Sequence, residues 1–283
     1  MKNSWFVVLS VIACSCNKIS GQFSSGKELG VVDLKLKEAS GLVASAVHPG
    51  YYWSHNDSGN SAELFLIDTN AQIVTTVVLA KVNNRDWEDI TLGAGPDPGK
   101  SYLYVGDIGD NDAKYPYKII YRLEEPAQLE NHVVNEFDTL YIQLPDGARD
   151  TETLMVDPIS SDMFIVSKRE DSVRLYQFAN TWKSGDTITA EMKIKMPYFN
   201  TVSADISADG SEVLLKNYDH VYYWKRKGSE SIADLLKQTP SELAYKPEKQ
   251  GESIAWSRDG SGYYTLSESS KKKRAQLLFY KRK

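Results

Sequence analysis

A short phrase recurs along the chain and carries carboxylates that could bind a metal ion. It begins with glutamate or a small residue, continues with a small or polar residue and ends with leucine or isoleucine. The five copies are Ser40-Gly41-Leu42, Glu88-Asp89-Ile90, Glu152-Thr153-Leu154, Ala204-Asp205-Ile206 and Glu252-Ser253-Ile254. If the fold brings their first residues together, the three glutamates need a cation among them, because like charges at short distance raise one another's pKa.

Calcium is the cation that these residues would suit. Glu88, Glu152 and Glu252 offer carboxylate oxygens, and Ser40 and Ala204 offer backbone carbonyls, which together form the oxygen-rich ligand set that Ca²⁺ prefers. The chain has only 4 histidines and 2 cysteines, which disfavours zinc. We predict an axial Ca²⁺ with a structural rather than a catalytic role. Alternatively, the glutamates accept hydrogen bonds from neighbouring strands or pair with the arginines that precede two of them.

The spacing of the phrase predicts the elements that position these residues. Successive copies begin 48, 64, 52 and 48 residues apart, close to the roughly 40 to 50 residues of a β-propeller blade. Strand-like segments follow each copy and in the first unit cover 41–47, 51–55, 62–68 and 72–79. The last unit has room for three strands, and the alternating segment 31–37 is the natural fourth. The sequence therefore predicts an all-β, five-bladed β-propeller closed by an N-terminal strand, with six blades as the alternative if the longest interval hides a further unit.

Five loops are expected to surround the channel above the glutamates. In a four-stranded blade, the loop between the second and third strands lies at the same end as the start of the innermost strand. The predicted ligand-binding residues in these loops are His55, Asn56, Asp57, Asp107, Asp110, Asn111 and Arg169. Asp57 and Asp110 are also ordinary turn residues. If the protein is a hydrolase, the predicted catalytic residues are His55, Asp107, Lys168 and Lys216, because carboxylates facing cations suit metal-assisted binding of a phosphate ester.

The composition excludes several classes of protein. The chain has 283 residues, of which 41% are hydrophobic and 25% charged, as in ordinary globular proteins with a substantial core. A net charge of −5 gives no general basic field, so nucleic acid is not a predicted partner, although the C-terminal segment 271–283 is locally basic. The signature motifs of serine hydrolases, P-loop proteins and zincins are missing from the sequence.

The N-terminal segment predicts that the protein is located at the bacterial cell envelope. Lys2 precedes a short apolar run, and a small residue stands before Cys14, which resembles a lipoprotein signal. We predict a signal peptide at 1–13, lipidation of Cys14 in preference to Cys16, a flexible tether at 14–28 and one propeller domain at 29–283. The lipid anchor would be the protein's contact with the membrane, and the domain would face the periplasm or the exterior.

Two groups of known proteins share features of this sequence. The recurring phrase resembles the pattern of the five-bladed calcium-dependent apyrases, nucleotidases whose axial Ca²⁺ is held by alternating serine and glutamate, although Ala204 replaces the usual serine. The stretches Asp86-Trp87-Glu88-Asp89-Ile90 and Gly106-Asp107-Ile108-Gly109-Asp110-Asn111 resemble a group of uncharacterised bacterial secreted and lipoprotein propellers. The first resemblance implies an axial calcium ion, and the second implies no particular activity.

The sequence leaves two functions open. The first is a binding module of the cell envelope, stabilised by Ca²⁺, whose top-face loops hold a protein, a glycan or a phosphorylated small molecule. The alternative is a calcium-dependent phosphoester hydrolase of apyrase-like or phytase-like character. A propeller fold cannot choose between them, because propellers host both enzymes and scaffolds.

Overall fold

In the computed structural model, which describes residues 17–18 and 22–283, five β-sheets surround a common axis as the blades of a propeller. The first two strands are β1 (Asn17–Lys18) and β2 (Lys27–Val31), and a 3₁₀ turn follows at Leu34–Leu36. The five-bladed fold predicted from the sequence is confirmed. The predicted signal peptide and the lipidation site Cys14 lie outside the described residues.

The first three blades share outer strands with their neighbours. Blade one contains β3 (Ala39–Ala44), β4 (Tyr52–Asn56), β5 (Glu63–Ile67) and β6 (Ile73–Leu79). Blade two contains β7 (Trp87–Ala94), β8 (Ser101–Asp107), β9 (Lys118–Glu124) and β11 (Asp138–Gln143), and the intervening β10 (His132–Val134) pairs with β6. Blade three contains β12 (Thr151–Val156), β13 (Met163–Ser167), β14 (Val173–Phe178) and β16 (Glu191–Met196), and β15 (Thr187–Thr189) pairs with β11. These exchanges cover outer edges that would otherwise be open.

The last two blades draw strands from the N-terminal region. Blade four contains β17 (Thr201–Ile206), β18 (Glu212–Asn217), β19 (Val221–Lys225) and β20 (Ser241–Glu242), with β1 beside β20 and helix α1 (Ile232–Leu236) after β19. Blade five contains β21 (Ser253–Trp256), β22 (Gly262–Leu266) and β23 (Gln276–Lys281), and β2 completes it. The helix begins at a serine cap, since the Ser231 hydroxyl accepts the Asp234 N–H at 3.1 Å.

The N-terminal closing strand is confirmed, but it lies earlier in the chain than predicted. Strand β2 at Lys27–Val31 pairs antiparallel with β23, whereas most of 31–37 follows it. The reason is local: the Asp33 carboxylate accepts the Lys35 N–H and starts the 3₁₀ turn, which buries Leu36 against blades one and five.

The predicted flexible tether is wrong for residues 22–28, which belong to the folded domain. Phe23 is only 2% exposed and packs against Tyr223, Trp256 and Tyr263. Lys27 and Glu28 already pair with β23. Burial of the aromatic ring fixes this segment, so the domain begins before residue 29.

The innermost strands pack side by side around the axis; they are β3, β7, β12, β17 and β21. Their pairing shows that the phrases at Ser40 and Ala204 have a different register from the one predicted. In the first four of these strands a β-bulge inserts one extra residue, at Gly41, Glu88, Glu152 and Val202. The bulges align Gly41 and Val202, rather than Ser40 and Ala204, with the glutamates. Ala204 lies two residues further along its strand than Val202, in an apolar cluster, so its predicted place in the ring is wrong. Ser40 instead donates its hydroxyl hydrogen to the Glu88 carbonyl oxygen at 2.6 Å.

Candidate functional site

A polar cleft of about 240 Å³ lies on the axis where the inner strands begin, and we call it the mouth. All five blades contribute to it, with the lining residues Asp57, Glu88, Asn111, Glu152, Lys168, Arg169, Asn200, Tyr218, Gln250 and Glu252. The loops between second and third strands thus lie at the same end as the starts of the inner strands, as the sequence predicts. Seven of these ten residues were predicted for the ring or its loops.

Lys168 supplies a positive charge among the glutamates. Its ammonium lies 2.8 Å from Glu152 Oε1, 3.8 Å from Glu252 Oε1 and 5.4 Å from the centre of the Tyr218 ring. Burial disfavours the charged lysine, but the two carboxylates outweigh that cost and raise its pKa above the ordinary value. The protein's own lysine therefore provides part of the compensation that the sequence alone suggested a metal ion would supply.

One lysine does not compensate the whole mouth. Burial raises the pKa of Glu152 to about 8 and holds that of Glu88 well above its usual range, with nearby carboxylates adding to both effects. Glu152 Oε2 is buried and has no hydrogen-bond partner among the described residues. An unpartnered buried carboxylate oxygen is costly, so the cleft has unused capacity to bind a cation or a hydrogen-bond donor.

Asp57 is the centre of the acidic part of the mouth. It belongs to two groups of three carboxylates, one with Asp86 and Glu88 and the other with Glu252 and Glu268. Within each group one oxygen of every residue lies within 4.8 Å of the others. Burial is the main cause that raises the pKa of Asp57 to about 6, so it is largely ionised at pH 8.

The basic side of the mouth is tied to structural partners. The Arg169 guanidinium contacts Asp150 at 2.6 Å and donates to Asn111 Oδ1, so both predicted ligand residues are joined across neighbouring blades. Arg85 pairs with Asp107 at 3.0 Å, and Arg149 pairs with Glu170 at 2.6 Å. The two arginines that precede Glu88 and Glu152 thus pair with other carboxylates and not with these glutamates.

Several residues predicted for the mouth lie elsewhere. His55 is fully buried, its Nδ1 contacts the Asn56 carbonyl oxygen at 3.0 Å, and burial lowers its pKa to about 4. Asn56 bonds Lys35 and Glu38 backbone groups instead of facing the cleft. In each case β4 extends through the residue before the turn begins, so its side chain packs between elements.

The other misplaced residues form buried pairs. Asp107 is held by Arg85, and Asp110 accepts from Lys118 at 3.3 Å with both side chains no more than 1% exposed. Lys216 is fully buried and donates to the Gly251 and Asn217 carbonyl oxygens, and burial lowers its pKa to about 8. The prediction that Asp107, Asp110 and Lys216 lie at the mouth is therefore wrong. A buried charge requires a partner, and the partners of these three side chains lie inside the blades.

Three residues that complete the lining, Asn200, Tyr218 and Gln250, were not named as site residues from the sequence, although Tyr218 lies in the loop 216–219 that was expected at the mouth. The Tyr218 hydroxyl donates to Glu252 Oε1. Asn200 and Gln250 adopt positive φ values of 52° and 50° immediately before the inner strands of blades four and five. Asn200 precedes its inner strand by one residue and Gln250 precedes its own by three. A comparison of the five units just before their inner strands could therefore have identified both residues.

Below the mouth, Asp89 joins three blades across the axis. Its carboxylate accepts the Leu154 N–H at 3.0 Å and the Ser203 hydroxyl at 3.3 Å, from blades three and four, while its own strand belongs to blade two. Asp89 is 0% exposed, and burial holds its pKa well above its usual range. The sequence placed this residue only as the polar middle of its phrase, yet its hydrogen bonds link the inner strands of three blades.

Comparisons with known proteins support the fold. No protein-family model and no curated protein matches the chain. A chain in the crystal structure of a nidogen/laminin complex is similar, with a TM-score of 0.51 and 10% sequence identity, covering 87% of this chain and 84% of that one. At that identity the similarity shows the β-propeller architecture alone. Among the described residues, the structure contains no helix that is both long and apolar enough to cross a membrane.

Proposed function

We propose that the protein is a calcium-dependent binding module whose mouth holds a protein or glycan ligand. The observation that carries the proposal is the mouth itself, a polar cleft assembled from all five blades with two carboxylate groups that share Asp57. Carboxylate oxygens in close groups are the ligands that Ca²⁺ prefers. The similar structure belongs to a protein complex, which supports partner binding in general terms.

The proposed ion site is centred on Asp57 and differs from the ring expected from sequence. The Lys168 ammonium lies within 4 Å of both Glu152 and Glu252, so it occupies the space between these two acids that an ion would need. Asp57 lies beside Glu88 on one side and beside Glu252 on the other. Calcium at Asp57 would leave the unpartnered Glu152 Oε2 and the Gln250 side chain at the mouth available to a ligand.

Asp57→Asn is expected to remove most of the stabilisation by calcium. An ion that binds only the native state stabilises it by about 2.7 kcal/mol at a hundredfold excess over the dissociation constant, and the variant lacks a ligand common to both carboxylate groups. The melting temperature should be measured at pH 8 with EDTA and with increasing CaCl₂. Asp112→Asn is the matched control, because Asp112 is an exposed acid at the same end of the molecule.

Two further variants locate the ion. Asp86→Asn weakens one carboxylate group and Glu268→Gln weakens the other, so the variant with the smaller calcium response identifies the group in use. If calcium raises the melting temperature of wild type and Asp57→Asn equally, the proposed site is wrong. Ligands can then be sought on glycan arrays and among envelope proteins, each with calcium and with EDTA.

Hydrolysis of phosphoesters is the second candidate, and the mouth favours it less. Of the four residues assigned to a hydrolase, Lys168 lines the cleft, whereas His55, Asp107 and Lys216 are buried in other contacts. Phosphate release from nucleotides, phytate and simple phosphomonoesters, with calcium and with EDTA, tests it directly. Calcium-dependent turnover that is lost in Lys168→Met would favour the enzyme.

The N-terminal sequence supports a cell-envelope location for this module, with a lipid anchor at Cys14. Replacing Cys14 with serine should abolish incorporation of a labelled fatty acid in a bacterial host and leave the protein in the soluble fraction. Cys16→Ser is the control, because only the residue that follows the cleavage site acquires the lipid. Loss of labelling in Cys16→Ser alone would move the anchor to Cys16.

A further inference from the structure

A second and larger cavity lies at the opposite end of the axis, where the inner strands end, and we call it the lower funnel. Its volume is about 560 Å³, within the range of small-molecule sites. One apolar residue near the end of each inner strand lines it: Val43, Leu92, Val156, Ile206 and Trp256. The hydrogen bonds of Asp89 cross the axis between the lower funnel and the mouth.

The lower funnel differs from the mouth in chemistry. Its lining combines aliphatic side chains at the inner-strand ends with polar groups at the rim, so it suits a ligand with an apolar body and a polar end, whereas the mouth is lined by charged and amide groups. Asp205 also lines it, and one oxygen of this buried carboxylate accepts the Trp256 N–H at 2.7 Å. Lys100 pairs with Glu124 at 2.8 Å and with Asp97 at 3.3 Å.

Arg258 is the free charge of the lower funnel. It is exposed, lines the cavity and makes no hydrogen bond or ion pair with any residue of the part of the chain that the structure describes. Its charge reaches the cavity, because it is among the groups that lower the pKa of Asp205. A free guanidinium at the rim of an apolar cavity pairs well with a carboxylate, sulfonate or phosphate.

We propose that the lower funnel binds a compact apolar molecule that carries one anionic group, with the apolar body among the inner-strand ends and the anion on Arg258. The site is independent of the mouth and of calcium, because no residue is common to the two linings. The chemistry of this occupant follows from two features of the lining: Arg258 is an exposed charge without an ion pair among the described residues, and the inner-strand ends supply apolar side chains.

A matched pair of fluorescent probes tests this site on the folded domain. 8-Anilino-1-naphthalenesulfonate carries a sulfonate, and N-phenyl-1-naphthylamine has the same aromatic body without charge. Both are expected to bind saturably with one site per protein. Arg258→Gln should weaken binding of the sulfonate by about two- to fivefold, the factor of an exposed ion pair worth about 0.4 to 1 kcal/mol, and leave the neutral probe unchanged.

A blocking variant confirms the location. Ala208 is exposed and lines the lower funnel, so Ala208→Trp should narrow the cavity and weaken binding of both probes without altering the core. Asp57→Asn, at the mouth, should change neither affinity. The proposal is overturned if Ala208→Trp, with an unchanged melting temperature, still binds both probes as wild type does. It is also overturned if Arg258→Gln weakens the two probes equally or leaves the sulfonate unaffected.

Discussion

Asp89→Ala is expected to lower the free energy of unfolding by about 3 kcal/mol, because removal of a buried acceptor leaves donors unsatisfied at about 1 to 3 kcal/mol each. The Leu154 N–H loses its partner, and the contact with Ser203 that joins blades two and four across the axis is broken. For a domain of this size each kcal/mol corresponds to about 2 to 4 °C, so the melting temperature should fall by about 6 to 12 °C. Chemical denaturation and calorimetry measure both quantities.

Three variants separate the hydrogen bonds from other effects. Asp89→Asn keeps a side-chain oxygen for the Leu154 N–H and should lose less than half as much stability. Ser203→Ala removes the cross-axis contact and also the acceptor of the Ile254 N–H, so a double-mutant cycle with Asp89→Ala is needed to isolate the contact, with an expected coupling energy of about 0.5 to 1 kcal/mol. Asp112→Ala, at the surface, should stay within about 0.5 kcal/mol of wild type. If Asp89→Ala is no less stable than Asp112→Ala, the axial acid is not what holds the blades together.

Blade number was predictable because each blade must start in the same way. Every inner strand contributes one side of a shared channel, so the phrases Glu88-Asp89-Ile90 and Glu152-Thr153-Leu154 recur at blade-length intervals. The bulges were not predictable from the phrase. They change which residue faces the axis without altering the apparent pattern, and so Val202 rather than Ala204 occupies the position of the glutamates.

The mouth was predictable in position but not in its charge balance. Loop residues such as Asp57 and Asn111 were placed there by topology alone. Whether a charged residue at the end of a strand faces the axis or the neighbouring blade depends on its partner in a distant blade. Lys168 meets Glu152 at the axis, whereas Lys216 turns toward Gly251, and spacing along the chain does not distinguish these two lysines.

The protein is expected to lose stability as the pH rises from 6.5 to 8 in EDTA. Burial raises the pKa of Glu152 to about 8 and that of Asp205 to about 7, and holds that of Asp89 well above its usual range. In the unfolded chain these carboxyl groups ionise near pH 4, so between pH 6.5 and 8 the native state binds more protons than the unfolded state. Stability then falls with pH by about 1.4 kcal/mol per pH unit for each retained proton.

Between pH 6.5 and 8 the change in stability reports on these carboxyl groups and not on the buried His55 and Lys216. His55 is buried neutral with a pKa of about 4, so it increases stability with pH only up to its unfolded pKa of about 6.5. Lys216, with a pKa of about 8, increases stability with pH only above that value. One retained proton over about 1.5 pH units corresponds to about 2 kcal/mol, so the melting temperature should fall by at least about 4 °C.

Glu152→Gln is the control for the predicted fall in stability with pH. Glutamine cannot ionise, so the variant should show a shallower fall in melting temperature between pH 6.5 and 8 than wild type does. Because Lys168 then faces one fewer acid, the variant tests whether the proton on Glu152, rather than the ion pair, sets the stability at neutral pH. A melting temperature that is flat or rises over this range in wild type would mean that Lys168 keeps Glu152 ionised in the folded protein. The axial acids would then be a preformed anionic site that needs no proton release before it binds a cation.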